Sequence, residues 1–260
     1  MITITVFLDR SPDVSGHHND VPCAVPGDMV AVGGGATGTD TPSGALLTAS
    51  YPNADASAWL ASSADHIASN PHTLEVYAIG MKIKGMSRAD LLHRMNYSQV
   101  ESSSASRPNA TLGPPPPGYT LISGGFRVNG PANLATASFP SQGVLWKVAS
   151  KDHIVPSPCS ITAFAISVQT NLPIGNVECF IRSQTSSEEA HPSATVEIPQ
   201  DCALTGIGAE TLVASTDPGQ LLWHLRPIEN GARVASQDHT EPSPGKITAS
   251  ALGIRIVAPS

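Results

Sequence analysis

The tetrad Ser-x-Asp-His occurs three times, at residues 63–66, 150–153 and 236–239, with the histidines 87 and 86 residues apart. Its neighbours keep register on both sides. Upstream lie LLTASYP (46–52), NLATASFP (133–140) and QLLWHLRP (220–227). Earlier still come MVAVGGGAT (29–37), TLISGGFRV (120–128) and ALTGIGAE (203–210). Downstream are HTLEVYAIGMKI (72–83), SITAFAISV (160–168) and KITASALGIRI (246–256). Four blocks in constant order make an internal repeat, with units at roughly 22–99, 108–176 and 191–257 of one domain spanning 1–260.

Each block has strand character. Apolar and β-branched residues alternate with polar ones, the period of a half-buried strand, and Gly, Pro, Asn and Ser clusters separate the blocks. Connections this short favour antiparallel meanders. The apolar start MITITVFL alternates in the same way and reads as a further strand rather than a signal peptide. Linkers share a Pro-x-Ala-Thr core, in RPNATL and HPSATV, that reads as extended chain. Ser87 to Asp90 ahead of LLHRM predicts a short helix opened by a capping box.

The expected fold class is therefore all-β: a three-fold pseudo-symmetric repeat of four-stranded antiparallel sheets, each burying one face around a common axis. In repeat number, strand count and Gly-Gly-bearing strands the chain resembles the β-prism proteins. These include jacalin-like and monocot mannose-binding lectins and the β-prism domain at the end of some bacterial perforin-like toxins. The resemblance implies glycan binding, as a lectin or as the cell-targeting part of a toxin system. It is architectural. The monocot lectin sugar signature and a jacalin-type Gly-x-x-x-Asp loop are absent. A three-bladed propeller-like arrangement is the alternative.

Charge narrows the partners. A formal net charge of -7 with no run of Lys or Arg argues against nucleic acid and against an anionic membrane surface. No stretch approaches the roughly 20 apolar residues of a membrane helix. Four cysteines without CxxC spacing argue against a thiolate metal cluster and favour reduced thiols. The expected setting is cytoplasmic, or release without a classical signal peptide.

The candidate ligand residues are Asp65 and His66 with Trp59, Asp152 and His153 with Trp146, and Asp238 and His239. A carboxylate beside an aromatic face suits a sugar. Unit three has Ala232 where the others have tryptophan, so it would bind more weakly. Tyr51 and Phe139 also match across units, with Arg226 in the third. Catalysis by the tetrad is not expected, because adjacent Asp and His on a strand face opposite ways. The bland reading is turn chemistry, with Asp accepting backbone N–H bonds, and ordinary core packing for the tryptophans. Three histidines meeting on the axis could hold zinc, although strands in a prism bring apolar residues inward. No metal or cofactor is expected. The pair His17-His18 near Asp20 reads as a solvated loop, and the Gly33-Gly34-Gly35 run lacks the following helix of a phosphate-binding loop. The second functional reading is a structural or assembly module that binds a protein partner or itself. An enzyme would need a separate site, near His72, His93 or the insertion after the first unit.

Overall fold

A computed structural model describes residues 1–38, 45–213 and 218–258, and it is all-β, with one short helix among those residues. The first third contributes β1 (Ile2–Arg10), β2 (His17–Ala24), β3 (Val30–Thr37), β4 (Leu46–Pro52), β5 (Ala58–Ala64) and β6 (Glu75–Ile83). After α1 (Arg88–His93) come β7 (Met95–Glu101), β8 (Asn109–Leu112), β9 (Tyr119–Val128), β10 (Asn133–Ser141), β11 (Leu145–Asp152) and β12 (Ile161–Gln169). The last third holds β13 (Asn171–Leu172), β14 (Gly175–Thr185), β15 (Ser193–Glu197), β16 (Ala203–Val213), β17 (Leu221–Ile228), β18 (Gly231–Gln237) and β19 (Gly245–Val257).

The strands form three antiparallel sheets, ordered β1-β6-β3-β17-β18-β15, β13-β14-β19-β16-β10-β11-β8 and β2-β5-β4-β9-β12-β7. One adjacency recurs in all three. A long strand (β6, β12 or β19) lies between an outer strand and a Gly-rich strand. The Gly-rich strand then pairs with a distant part of the chain: β3 with β17, β9 with β4, β16 with β10. The sheets thus have six or seven strands, not the four expected from the repeat, and each draws strands from two of the three segments read as repeat units. The added strands come from the segments read as linkers, β8 and β15, from β2, and from the outer strands β1, β7, β13 and β14. Pairing satisfies the N–H and C=O groups that face the neighbouring strand, which an unpaired extended segment against the core would leave costly.

Glycine makes the crossing between repeats possible. A Cβ on Gly35, Gly125 or Gly208 would lie 2.1, 2.3 or 2.6 Å from the carbonyl oxygen of Leu225, Ser50 or Ser138 on the partner strand. Close backbone approach therefore requires the missing side chain. Matching bulges bend the partners, between Leu47 and Ala49, Ala135 and Ala137, and Leu222 and His224. They increase local twist and turn the sheet toward the next.

The main core draws on all three sheets, including Val32 and Ile79 from the first, Ile207 and Leu252 from the second, and Ile122 and Phe126 from the third. Burying each such side chain contributes roughly 1.5–3 kcal/mol. A second small cluster of Leu46, Leu134 and Leu221 closes one end. These leucines lie opposite Ala64, Lys151 and Gln237, the residues just before the three Asp-His pairs. The helix forms where the sequence places it. Ser87 Oγ accepts from Asp90 N–H and the Asp90 carboxylate accepts from Ser87 N–H. Arg88 then pins it to the first sheet by donating to the Met29 carbonyl at 2.9 Å.

Candidate functional site: the histidine ring and the Tyr51 groove

The three histidines of the repeat meet. His66 Nε2 donates to the His153 carbonyl at 2.6 Å, His153 Nε2 to the His239 carbonyl at 2.6 Å, and His239 Nε2 to the His66 carbonyl at 2.5 Å. Ring centroids are 5.5–5.7 Å apart and all three side chains are buried. Each of these carbonyls also accepts an N–H two residues on, from Ala68, Val155 and Glu241. The residue between, Ile67, Ile154 or Thr240, is left-handed with φ of 62°, 63° and 60°. Such γ-type turns around β-branched residues cost about 1–3 kcal/mol each and persist only where the surroundings hold them. The closed ring of donors is what holds them. Because every Nε2 carries its proton toward a carbonyl, those nitrogens are not turned inward as metal ligands.

The aspartates serve the same turns. Oδ2 of Asp65, Asp152 and Asp238 accepts the backbone N–H of Asn70, Ser157 and Ser243, each at 3.1 Å. On the solvent side, His17 and His191 approach Asp65 and Asp238 at 3.2 and 3.4 Å. Of the expected Asp–His ligand pairs, the imidazoles are enclosed, while the aspartates are half-buried with one carboxylate oxygen spent on the loop. The carbonyls of Asn70, Ser157 and Ser243 are capped in turn, by His72 Nδ1, Asn133 Nδ2 and Gln220 Nε2. That places His72 among the loop fasteners. Its Nδ1 proton leaves Nε2 to accept the Ser63 hydroxyl at 2.7 Å, and His18 donates to the His72 carbonyl at 2.8 Å. Ser63 and His72 are both buried, and burial pushes the His72 imidazole below the ordinary histidine range. The His17-His18 segment is strand, not solvated loop, because its pairing with β5 seats His18 inside.

Trp59 and Trp146 are also corrected as ligand platforms. They are 1% and 0% exposed, and their indole N–H groups donate to Ser50 and Ser138 Oγ at 2.8 and 3.1 Å. Space for the rings comes from Gly34 and Gly124, where a Cβ would sit 2.4 Å from Trp59 Cγ and 2.3 Å from Trp146 Cδ2. The strand registers put Ala232, Leu225 and Ile207 at the corresponding places in the last third. There a buried isoleucine stands at the glycine's position, and a leucine where the indole would need a hydroxyl. Ala232 reflects a change of packing, not a lost sugar platform.

The exposed polar geometry lies elsewhere, on the solvent face of the third sheet. Asp20 sits in a bulge of β2 with φ of 51°. That conformation lets its N–H donate to Ser62 Oγ at 2.8 Å, while Oδ1 accepts the Tyr51 and Ser62 hydroxyls at 2.9 and 3.3 Å. Arg127 reaches it from β9, with a guanidinium nitrogen 3.7 Å from Asp20 Oδ2 and Cζ 5.6 Å from the Tyr51 ring centre. Tyr51 stacks on Phe164 at 4.9 Å. Burial, then the Asp20 carboxylate, pushes its phenol up to about 12, so it stays a donor. An open groove of about 400 Å³ is lined by Asn19, Asp20, Thr48, Ser62 and Arg127.

The other two sheets place aromatic and charged residues at matching strand positions. On the first sheet Tyr77 donates to Glu75 at 2.6 Å, Arg10 pairs with Glu75 at 2.7 Å, and Arg226 lies 5.6 Å over the Tyr77 ring. On the second, Phe139 lies opposite Lys147, and Ala137 opposite Glu210. Sequence alignment of the repeats marked Tyr51, Phe139 and Arg226. Asp20 and Arg127 escaped it, because the strand pairing that joins them crosses from one repeat to the next. Compared with known proteins, the chain matches no family model and no curated protein sequence.

Proposed function

We propose that this chain is a non-catalytic, β-prism-like module of three-fold pseudo-symmetry that binds glycans through the groove beside Tyr51. The observation that carries this reading is the Asp20–Tyr51–Arg127 cluster. A carboxylate, a guanidinium, an amide and a hydroxyl converge on an open groove, and a fixed aromatic stack holds the charged pair in place. Vicinal sugar hydroxyls need this mixture of acceptors and donors at short range. Tyr51 itself is covered and acts as support. Weak single sites on more than one sheet face would gain from multivalency on a glycan-bearing surface.

The decisive experiment is a broad glycan array with the wild type, Asp20→Ala, Arg127→Ala and Asp65→Ala. Selective retention by the wild type and by Asp65→Ala, lost in the other two, is the expected result. A blank wild-type array together with a concentration-dependent mass in sedimentation would overturn the reading in favour of a self-associating structural module.

A further inference from the structure

We infer that the three-histidine ring is an acid-sensitive latch, fastening the His66, His153 and His239 turns together at neutral pH and releasing them in mild acid while the sheets stay folded. The ring joins segments 86 and 87 residues apart, so its hydrogen bonds clasp the molecule where the three sheets meet. Each neutral imidazole uses its one proton at Nε2, so an added proton must arrive at Nδ1. His239 Nδ1 is buried without a hydrogen-bond partner among the described residues. His153 Nδ1 faces the Pro218 carbonyl at 3.2 Å, an acceptor for the added proton that it would share with the Lys151 ammonium. His239 thus offers the second proton no acceptor among the described residues, and imidazolium rings 5.5–5.7 Å apart would repel.

The charged groups around the ring do not offset this. Lys151 on β11 adds a further positive charge, and Gln237 on β18 and Ala64 on β5 stand at the corresponding positions. Asp65, Asp152 and Asp238 turn one carboxylate oxygen to the loop N–H groups, with His17 and His191 beside the first and last. Glu241 lies with Asp152 and Pro218 on one side, Arg107 with Lys151 on another, and Glu189 in the segment beside Asp238. Burial, the largest cause, holds His153 and His239 below the ordinary histidine value of about 6.5. A depressed histidine contributes stability that is fully present above that value. It is lost as pH falls below it, where the open form takes up protons that the closed form refuses. The left-handed turns at Ile67, Ile154 and Thr240 relax on release, which favours local opening over global unfolding.

The test is amide hydrogen exchange by NMR at about pH 7.5 and pH 5, with protection corrected for intrinsic exchange. The amides of Ala68, Val155 and Glu241, which donate to the histidine carbonyls, should lose protection by roughly tenfold or more in acid. Ala78, Ala165 and Ala251 in the central strands should not. A triple His66→Gln, His153→Gln, His239→Gln variant keeps a side-chain donor without a titrating ring, so its turns should stay protected at both pH values. Unchanged protection in the wild type would overturn the latch, and so would an equal acid loss in the triple variant. Should that variant not fold, imidazole ¹⁵N shifts of the wild type decide the matter. Rings that titrate together with the loss of turn protection support it. Rings still neutral when protection is lost overturn it.

Discussion

His66 Nε2 donates to the backbone carbonyl of His153 across 2.6 Å, although the two residues are 87 apart in the chain. The same oxygen accepts the Val155 N–H, so it anchors a strained turn and a distant repeat at once. His66→Ala removes the distant donor from a buried acceptor and opens the ring. The expected cost is about 1–3 kcal/mol, with His66→Gln costing less because its amide can reach the same carbonyl. Urea unfolding at pH 7.5 measures both. Equal midpoints for wild type and the alanine variant would mean that the ring contributes nothing to the fold.

The Asp152 carboxylate accepts the Ser157 N–H at 3.1 Å and so sets the loop after the His153 turn. Asp152→Ala should destabilise the protein by about 1–3 kcal/mol. Asp152→Asn retains an acceptor oxygen and should recover part of that loss. Neither change should alter glycan retention, because Asp152 lies outside the groove lined by Asp20 and Arg127. Thermal unfolding and the array together check the pair. Loss of binding with an unchanged melting temperature would return Asp152 to the list of ligand residues.

The recurring turn was legible because its chemistry is local: Asp accepts a backbone N–H five residues on, within one loop, at each of the three tetrads. The short helix was legible for the same reason, since Ser87 and Asp90 cap it within a single turn. What the sequence could not display is the pairing of β4 with β9, which brings Arg127 from one repeat onto Tyr51 and Asp20 of another. Nothing in the period of either strand encodes its foreign neighbour. Exposure was hidden too. A tryptophan seven residues before a repeated histidine reads alike as a sugar platform and as core, until Gly34 and Gly124 are seen beneath the rings.

That packing exchange can be tested by running it backwards. In the last third, Ile207 is 4% exposed and stands at the strand position that Gly34 and Gly124 hold beneath tryptophan elsewhere. Ala232→Trp alone would force an indole into filled space and leave its N–H beside Leu225. Overpacking of this kind costs about 1–3 kcal/mol, and a buried unpaired donor adds a similar amount. Ala232→Trp combined with Ile207→Gly and Leu225→Ser supplies the cavity and the hydroxyl that Trp59 and Trp146 use. The triple variant should therefore be more stable than Ala232→Trp alone, a coupling that separate effects of the three changes would not give. Chemical denaturation of the single, double and triple variants measures it. If the three changes simply add, the Trp–Gly–Ser and Ala–Ile–Leu sets are not equivalent solutions to one packing problem.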